Sequence, residues 1–123
     1  MSDAAGDGRL FRTPAGVRLC TVEDVVKRGS HSLVLQIGER YFHGFLIARH
    51  GAVIGYVDSC PHMGLSLESS DRQYLSPDGS TIVCARHGAM FDLATGACLG
   101  GPCVGARLQS WPVRTADGFV WTD

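Results

Sequence analysis

Cys60-Pro61-His62 and Cys84-Ala85-Arg86-His87 are the two stretches on which the reading of this chain turns, with 21 residues between His62 and Cys84. Each pairs one thiol with one imidazole. Thiolates suit soft metals and iron–sulfur clusters, while imidazole suits zinc, copper and iron. Two of each is the donor number of a single metal site. Structural zinc sites usually separate paired ligands by two or more residues. Cys60 and His62 have only Pro61 between them, a spacing that strains chelation of one ion but suits two adjacent irons that take one ligand each. The competing reading is a zinc ion held by two Cys and two His in a metal-stabilised binding module. A chance grouping of core cysteines and surface histidines is the third reading. It fits poorly with two mixed pairs, each beside Gly or Pro in a loop-rich section.

Outward from these motifs the chain reads as short strands separated by turn signals. Strands are expected at 17–20, 32–37, 41–48 and Ala52–Val57, with turns at Gly38-Glu39 and His50-Gly51. Thr21-Val22-Glu23-Asp24 has the form of a capping box and predicts a single helical turn ending at Val26. Between 58 and 104 the texture changes. The two motif-bearing loops are joined there by a Pro77-Asp78-Gly79 turn, short apolar runs at Thr81–Val83 and 90–93, and a crowding of Gly96, Gly100, Gly101 and Pro102. A closing hairpin is expected from a strand at 108–114, a turn at Ala116-Asp117-Gly118 and a strand at Phe119–Thr122. No helix-period pattern of useful length occurs, so the expected fold is all-β with a loop-built insert. Residues 1–9 are expected to form a flexible tail and 10–123 a single domain, with its metal-binding part at about 58–104.

The 123 residues suffice for one domain with a real core. At 45% hydrophobic and 19% charged, the composition is that of a globular protein. The formal charge of −1 comes from scattered residues of both signs without a basic stripe, so nucleic acid is not an expected partner. The longest apolar stretch, 41–57, is broken by Arg49, His50 and Gly51, and no run reaches the roughly 18 residues of a membrane span. Residues 1–9 lack the apolar stretch of a signal peptide, so a cytoplasmic location is expected. In a reducing compartment the five cysteines read as ligands or buried thiols and not as a disulfide framework.

C-x-H, then 21 residues, then C-x-x-H-G resembles the signature of the Rieske 2Fe-2S family. The flanks agree. Val57-Asp58-Ser59-Cys60-Pro61-His62-Met63-Gly64 is similar to the family's first cluster loop, and Cys84-Ala85-Arg86-His87-Gly88-Ala89-Met90-Phe91-Asp92 to its second. Gly100-Gly101-Pro102 resembles the proline loop that covers the cluster, and the likeness runs from about Val17 to Trp121. It implies an antiparallel β-sandwich with a small loop-built cluster-binding subdomain, holding one 2Fe-2S cluster. Cys60 and Cys84 would bind the inner iron, and His62 and His87 the outer, more exposed one. Two neutral imidazoles in place of two thiolates remove negative charge, which raises the potential above that of an all-cysteine cluster.

Departures from the respiratory-chain members narrow the class. Leu65 and Arg86 stand where those members carry two further cysteines joined in a disulfide, and Ala89 and Phe91 where they carry a Ser and a Tyr. Without those two hydroxyl donors to the cluster sulfurs, the potential is expected near the low end of the range, about −150 mV. The resemblance therefore implies a soluble ferredoxin. It would carry electrons from a flavin-dependent reductase to an oxygenase or other oxidoreductase, with no catalytic residues of its own. A small subunit of a multi-subunit reductase, such as nitrite reductase, and a redox or iron sensor are the other readings. His31, His43 and His50 do not form the two-His, one-carboxylate iron site of an oxygenase, since His43 and His50 would face opposite ways on one strand. Cys98 is read as packing near the cluster, with pairing to Cys103 the alternative, and Cys20 as a small core residue. Met63 and Met90 are read as apolar cover or core, and Arg86 as a surface charge.

Overall fold

The computed structural model of the chain describes residues 9–58, 75–76, 80–83, 89–100 and 105–123. In chain order the elements are β1 (Arg9–Leu10), β2 (Arg18–Thr21), α1 (Val22–Arg28), β3 (Ser30–Ile37), β4 (Arg40–Arg49), β5 (Ala52–Val57) and β6 (Thr81–Val83), then β7 (Met90–Asp92), β8 (Cys98–Gly100), β9 (Val113–Ala116) and β10 (Phe119–Thr122). Among the described residues no helix is long and apolar enough to cross a membrane.

Three sheets result. In the first, β4 pairs antiparallel with β3 on one side and with β5 on the other, and β1 extends the β5 side as a short parallel strand. The second is the antiparallel set β2-β10-β9, and the third the antiparallel set β6-β7-β8. Turn chemistry fixes two of the hairpins. His50-Gly51 (φ 49° and 79°) and Asp117-Gly118 (φ 54° and 81°) both place two successive residues at positive φ, as a twist-matched two-residue hairpin loop requires.

Strand β4 explains how the layers stack. Gly44, Phe45, Leu46 and Ile47 are all buried, because β4 is covered on both faces. Phe42 and Leu46 face the second sheet, in a core with Val25, Val57, Trp111 and Val120. Phe45 and Ile47 face the third sheet, in a core with Tyr56, Ile82, Ala89, Phe91, Leu93 and Leu108. Gly44 is required at the middle of this strand. A Cβ there would lie 2.6 Å from Phe42 Cε1 and from the Trp111 ring, a ring that packs on Phe42 with centroids 4.6 Å apart.

Several elements differ from expectation, each for a local reason. Helix α1 begins at the expected capping box, with Thr21 Oγ1 accepting from the Asp24 amide at 3.1 Å and the Asp24 carboxylate accepting from the Thr21 amide at 3.3 Å. It runs on to Arg28 instead of stopping at Val26, because Lys27 and Arg28 suit the negative end of the helix. Gly29 at φ 80° supplies the stop, its N–H donating to Val25 O. The expected strand at 108–114 is split. Its first half runs beside β5, with Val57 N donating to Gln109 O and Trp111 N to Gly55 O; only Val113–Ala116 pairs with β10. Pro112, which has no N–H to donate, marks the crossover. Strands β1 and β8 were not expected. The first is only two residues long and begins at Arg9, inside the stretch read as a tail, and the second sits in a glycine-rich stretch.

Candidate metal centre

Sheet β6-β7-β8 contains the two strands between which the second motif lies in the chain. In its register Val83 lies opposite Met90, and Met90 opposite Gly100, so three strand ends stand in one row. The segment with Cys84 and His87 joins the first two of these ends, and the Gly101-Pro102 segment continues from the third. Leu75, downstream of the first motif in the chain, bridges antiparallel to Ile82 of β6. Cys60, His62, Cys84 and His87 themselves lie outside the described residues, as do Met63, Leu65, Arg86 and Cys103 and the expected Pro77-Asp78-Gly79 turn. Flanking that turn, Ser76 N donates to Thr81 O at 2.9 Å.

The opposite end of the sheet is closed by tight turns. Asp92 Oδ2 accepts from Thr95 N at 2.9 Å and from Thr95 Oγ1 at 2.8 Å, and Gly96 N donates to Asp92 O. These two hydrogen bonds from Thr95 hold the Asp92 carboxyl below the usual carboxylate range. Gly96 turns at φ 76°, pressed against Tyr56, whose Cε1 lies 2.9 Å from where a Cβ would be. The Tyr56 hydroxyl donates to Leu93 O at 2.7 Å in the buried interior. This bond ties β5, which leads toward Cys60, to the chain that follows β7. Burial also pushes the Tyr56 phenol up from its ordinary pKa.

The residues of the row that are described are apolar. Flanking Met90, Ala89 and Phe91 are both fully buried, and neither residue carries a hydroxyl. Met90 and Leu99 are exposed, and Met90 Cε lies 3.4 Å from where a Cβ on Gly100 would be. Of its two expected roles, cover or core, the exposure of Met90 rules out the core. Cys98 packs against the same core with its Sγ 3.3 Å from Gly100 O. Cys20 packs in the other core, its thiol pushed up to about 11 by burial and by nearby Asp24, as befits an unreactive core residue. The remaining histidines are dispersed: His31 sits in β3 opposite Leu46, His43 in β4 opposite Val34, and His50 in the β4–β5 turn. Among the described residues no three His, Cys, Asp or Glu side chains are grouped as a metal site.

Two segments carrying one thiol and one imidazole each, the second of them linking β6 to β7 of a small sheet whose core side is apolar, fit a 2Fe-2S cluster. The donor set supplies two anionic thiolates and two neutral imidazoles, which matches two adjacent irons.

Comparison with known proteins agrees with this fit. The profile of the Rieske [2Fe-2S] domain family matches residues 15–112. Oxidoreductase NdmD of Pseudomonas putida is 28% identical over 119 residues, covering 85% of this chain; the chain spans 18% of that protein's length. A ferredoxin of Sphingomonas yanoikuyae B1 is similar in structure, with 28% identity, a TM-score of 0.63, and coverage of 88% of this chain and 97% of that one. The ferredoxin of carbazole 1,9a-dioxygenase from Nocardioides aromaticivorans IC177 shares the fold at 20% identity, with a TM-score of 0.67 and coverage of 89% of this chain and 97% of that one.

Proposed function

Because the chain belongs to the Rieske [2Fe-2S] domain family, we propose that Cys60, His62, Cys84 and His87 hold its cluster and that it works as a ferredoxin, passing single electrons from a flavin-dependent reductase to an oxygenase. A Rieske domain binds one 2Fe-2S cluster, and that cluster takes up and gives back one electron. The observation that supports this site is the aligned row of Val83, Met90 and Gly100, from which the segments bearing the second motif and the proline loop both depart.

In this reading the chain's own residues do three things. Cys60 and Cys84 would supply anionic sulfur, and His62 and His87 neutral nitrogen. The apolar floor of Ala89 and Phe91 keeps water and hydroxyl donors from the inner side, favouring the less negative, oxidised state and so a low potential. Exposed Met90 and Leu99 leave an apolar margin beside the row.

The acceptor assignment leans on the solved ferredoxin–oxygenase complex of carbazole 1,9a-dioxygenase, which shares this fold at 22% identity and a TM-score of 0.68. The direct test mixes the chemically reduced chain, without oxygen, with an oxidised Rieske-type oxygenase and counts electrons transferred. One electron per chain is the expected result, together with oxygenase turnover that needs reductase and chain together. A reduced chain that keeps its electron in the presence of the oxygenase would count against the role.

A further inference from the structure

The outer face of the β2-β10-β9 sheet carries a strip of arginines laid on aromatic rings. Val120 of β10 and Cys20 of β2 pack into the core that this sheet shares with β4, so by strand alternation Phe119 and Trp121 point outward. The register sets Trp121 beside Arg18 on one side and Arg114 on the other, which makes one row across three strands. Both arginines are exposed and both rings are partly buried. The guanidinium carbon of Arg18 stands 4.9 Å from the centre of the Phe119 ring, and that of Arg114 stands 5.7 Å from Trp121. The two rings meet edge to face with centroids 6.5 Å apart.

These contacts hold the cations in place without using their hydrogen-bonding capacity. A ring face attracts the charge as a whole and leaves the N–H donors of a guanidinium for other acceptors. Among the described residues, neither the Arg18 nor the Arg114 guanidinium has a hydrogen bond or an ion pair. An arginine already held over a ring also loses less side-chain freedom on gripping an anion than a freely moving one does. The planar fork that results suits a carboxylate, which can accept two parallel N–H bonds.

We infer that this strip docks an acidic segment of a partner protein, with one carboxylate taken by Arg18 and another by Arg114. Neighbouring strands lie about 4.8 Å apart, so the two arginines, separated by β10, stand roughly 10 Å apart at the backbone, a span that a few residues of one segment cover. Asp117 and Asp123 bracket β10 at its two ends. Like charges repel, so the acidic segment crosses the strands and does not run along them. Nucleic acid fits this face less well, because its bases need open rings to stack on, and here the rings are engaged by the arginines and by each other. An anionic membrane calls for a cluster of about four to eight cations, whereas the three strands of this sheet offer Arg18 and Arg114 alone. The strip lies on the opposite side of β4 from the β6-β7-β8 sheet. A partner held there leaves the Val83–Met90–Gly100 end uncovered, so holding a partner and exchanging electrons, as in the function proposed above, use separate surfaces.

The test titrates the whole chain, labelled with nitrogen-15, with a hexaglutamate peptide at low ionic strength and follows the backbone amide shifts. The expected shifts gather on β2, β9 and β10, and about tenfold more salt weakens the binding severalfold. Replacing both arginines, Arg18→Gln with Arg114→Gln, should weaken it about tenfold or more. Arg18→Lys with Arg114→Lys, which keeps the charges and loses the forks, should keep part of it, and Arg107→Gln, away from this sheet, should leave it unchanged. Arg18 and Arg114 are exposed, so these variants keep the fold, which unchanged amide shifts in the two cores verify. A wild-type chain that does not bind the peptide, shifts scattered over the surface, or a double glutamine variant that binds as tightly as wild type overturns the inference. A short oligothymidylate that binds the strip more tightly than the peptide also overturns it and assigns the face to nucleic acid.

Discussion

Ala89 and Phe91 carry the most specific consequence at the scale of single residues. Both are fully buried at or beside the start of β7, and both stand at the positions where the resemblance to the respiratory-chain members implies a hydroxyl donor to the cluster. A donor aimed at a cluster sulfur stabilises the extra negative charge of the reduced state. Ala89→Ser is therefore expected to raise the midpoint potential above the value expected for the wild type, about −150 mV at the low end of the Rieske range. Protein-film voltammetry of the two proteins measures the difference. A serine variant whose potential is unchanged or lower would show that position 89 does not face the sulfur. The glycines are the residues whose roles came through least directly from sequence. Gly44 sits in the middle of a strand pattern, and nothing local marks it. Its reason is the Trp111 ring, 2.6 Å from where its Cβ would be, a contact between segments 67 positions apart in the sequence.

At the scale of elements, the Tyr56–Leu93 hydrogen bond is the fastening between β5 and the β6-β7-β8 sheet. Removing the hydroxyl in Tyr56→Phe leaves a buried carbonyl without that donor, at an expected cost of about 1–3 kcal/mol. Urea unfolding of wild type and variant reads it as a lower midpoint at unchanged slope; equal midpoints would mean that the bond contributes nothing net. The same scale shows what local sequence does and does not encode. The capping box at Thr21 and Asp24, the His50-Gly51 turn and the Asp117-Gly118 turn are legible because their chemistry is confined to adjacent residues. Helix α1 ends two residues later than the single turn expected from its capping box, because Gly29 is what stops it. The split of 108–114 was hidden for a different reason. Gln109 and Trp111 hydrogen-bond to β5, more than fifty residues earlier in the chain, and no periodicity within the segment announces that partner. Strand β8 is short and glycine-flanked, so only its pairing with β7 makes it a strand.

Across the whole molecule, β4 is the shared wall of two cores, one toward the β2-β10-β9 sheet and one toward the β6-β7-β8 sheet. This arrangement holds the small sheet rigidly against the larger body while leaving its Val83–Met90–Gly100 end as the point of departure for the proposed ligand loops. The family was legible from the Cys and His spacing, because ligand chemistry constrains both residue type and interval. The way the sheets share β4 was not, because it depends on which face of each strand is covered. The central claim is that two Cys and two His hold one 2Fe-2S cluster, and low-temperature EPR of the purified chain before and after dithionite tests it most directly. Mixed imidazole–thiolate ligation predicts a coloured protein, silent when oxidised, whose reduced form gives a rhombic signal with an average g value well below that of all-cysteine clusters. A colourless, EPR-silent protein containing one zinc per chain would contradict the account.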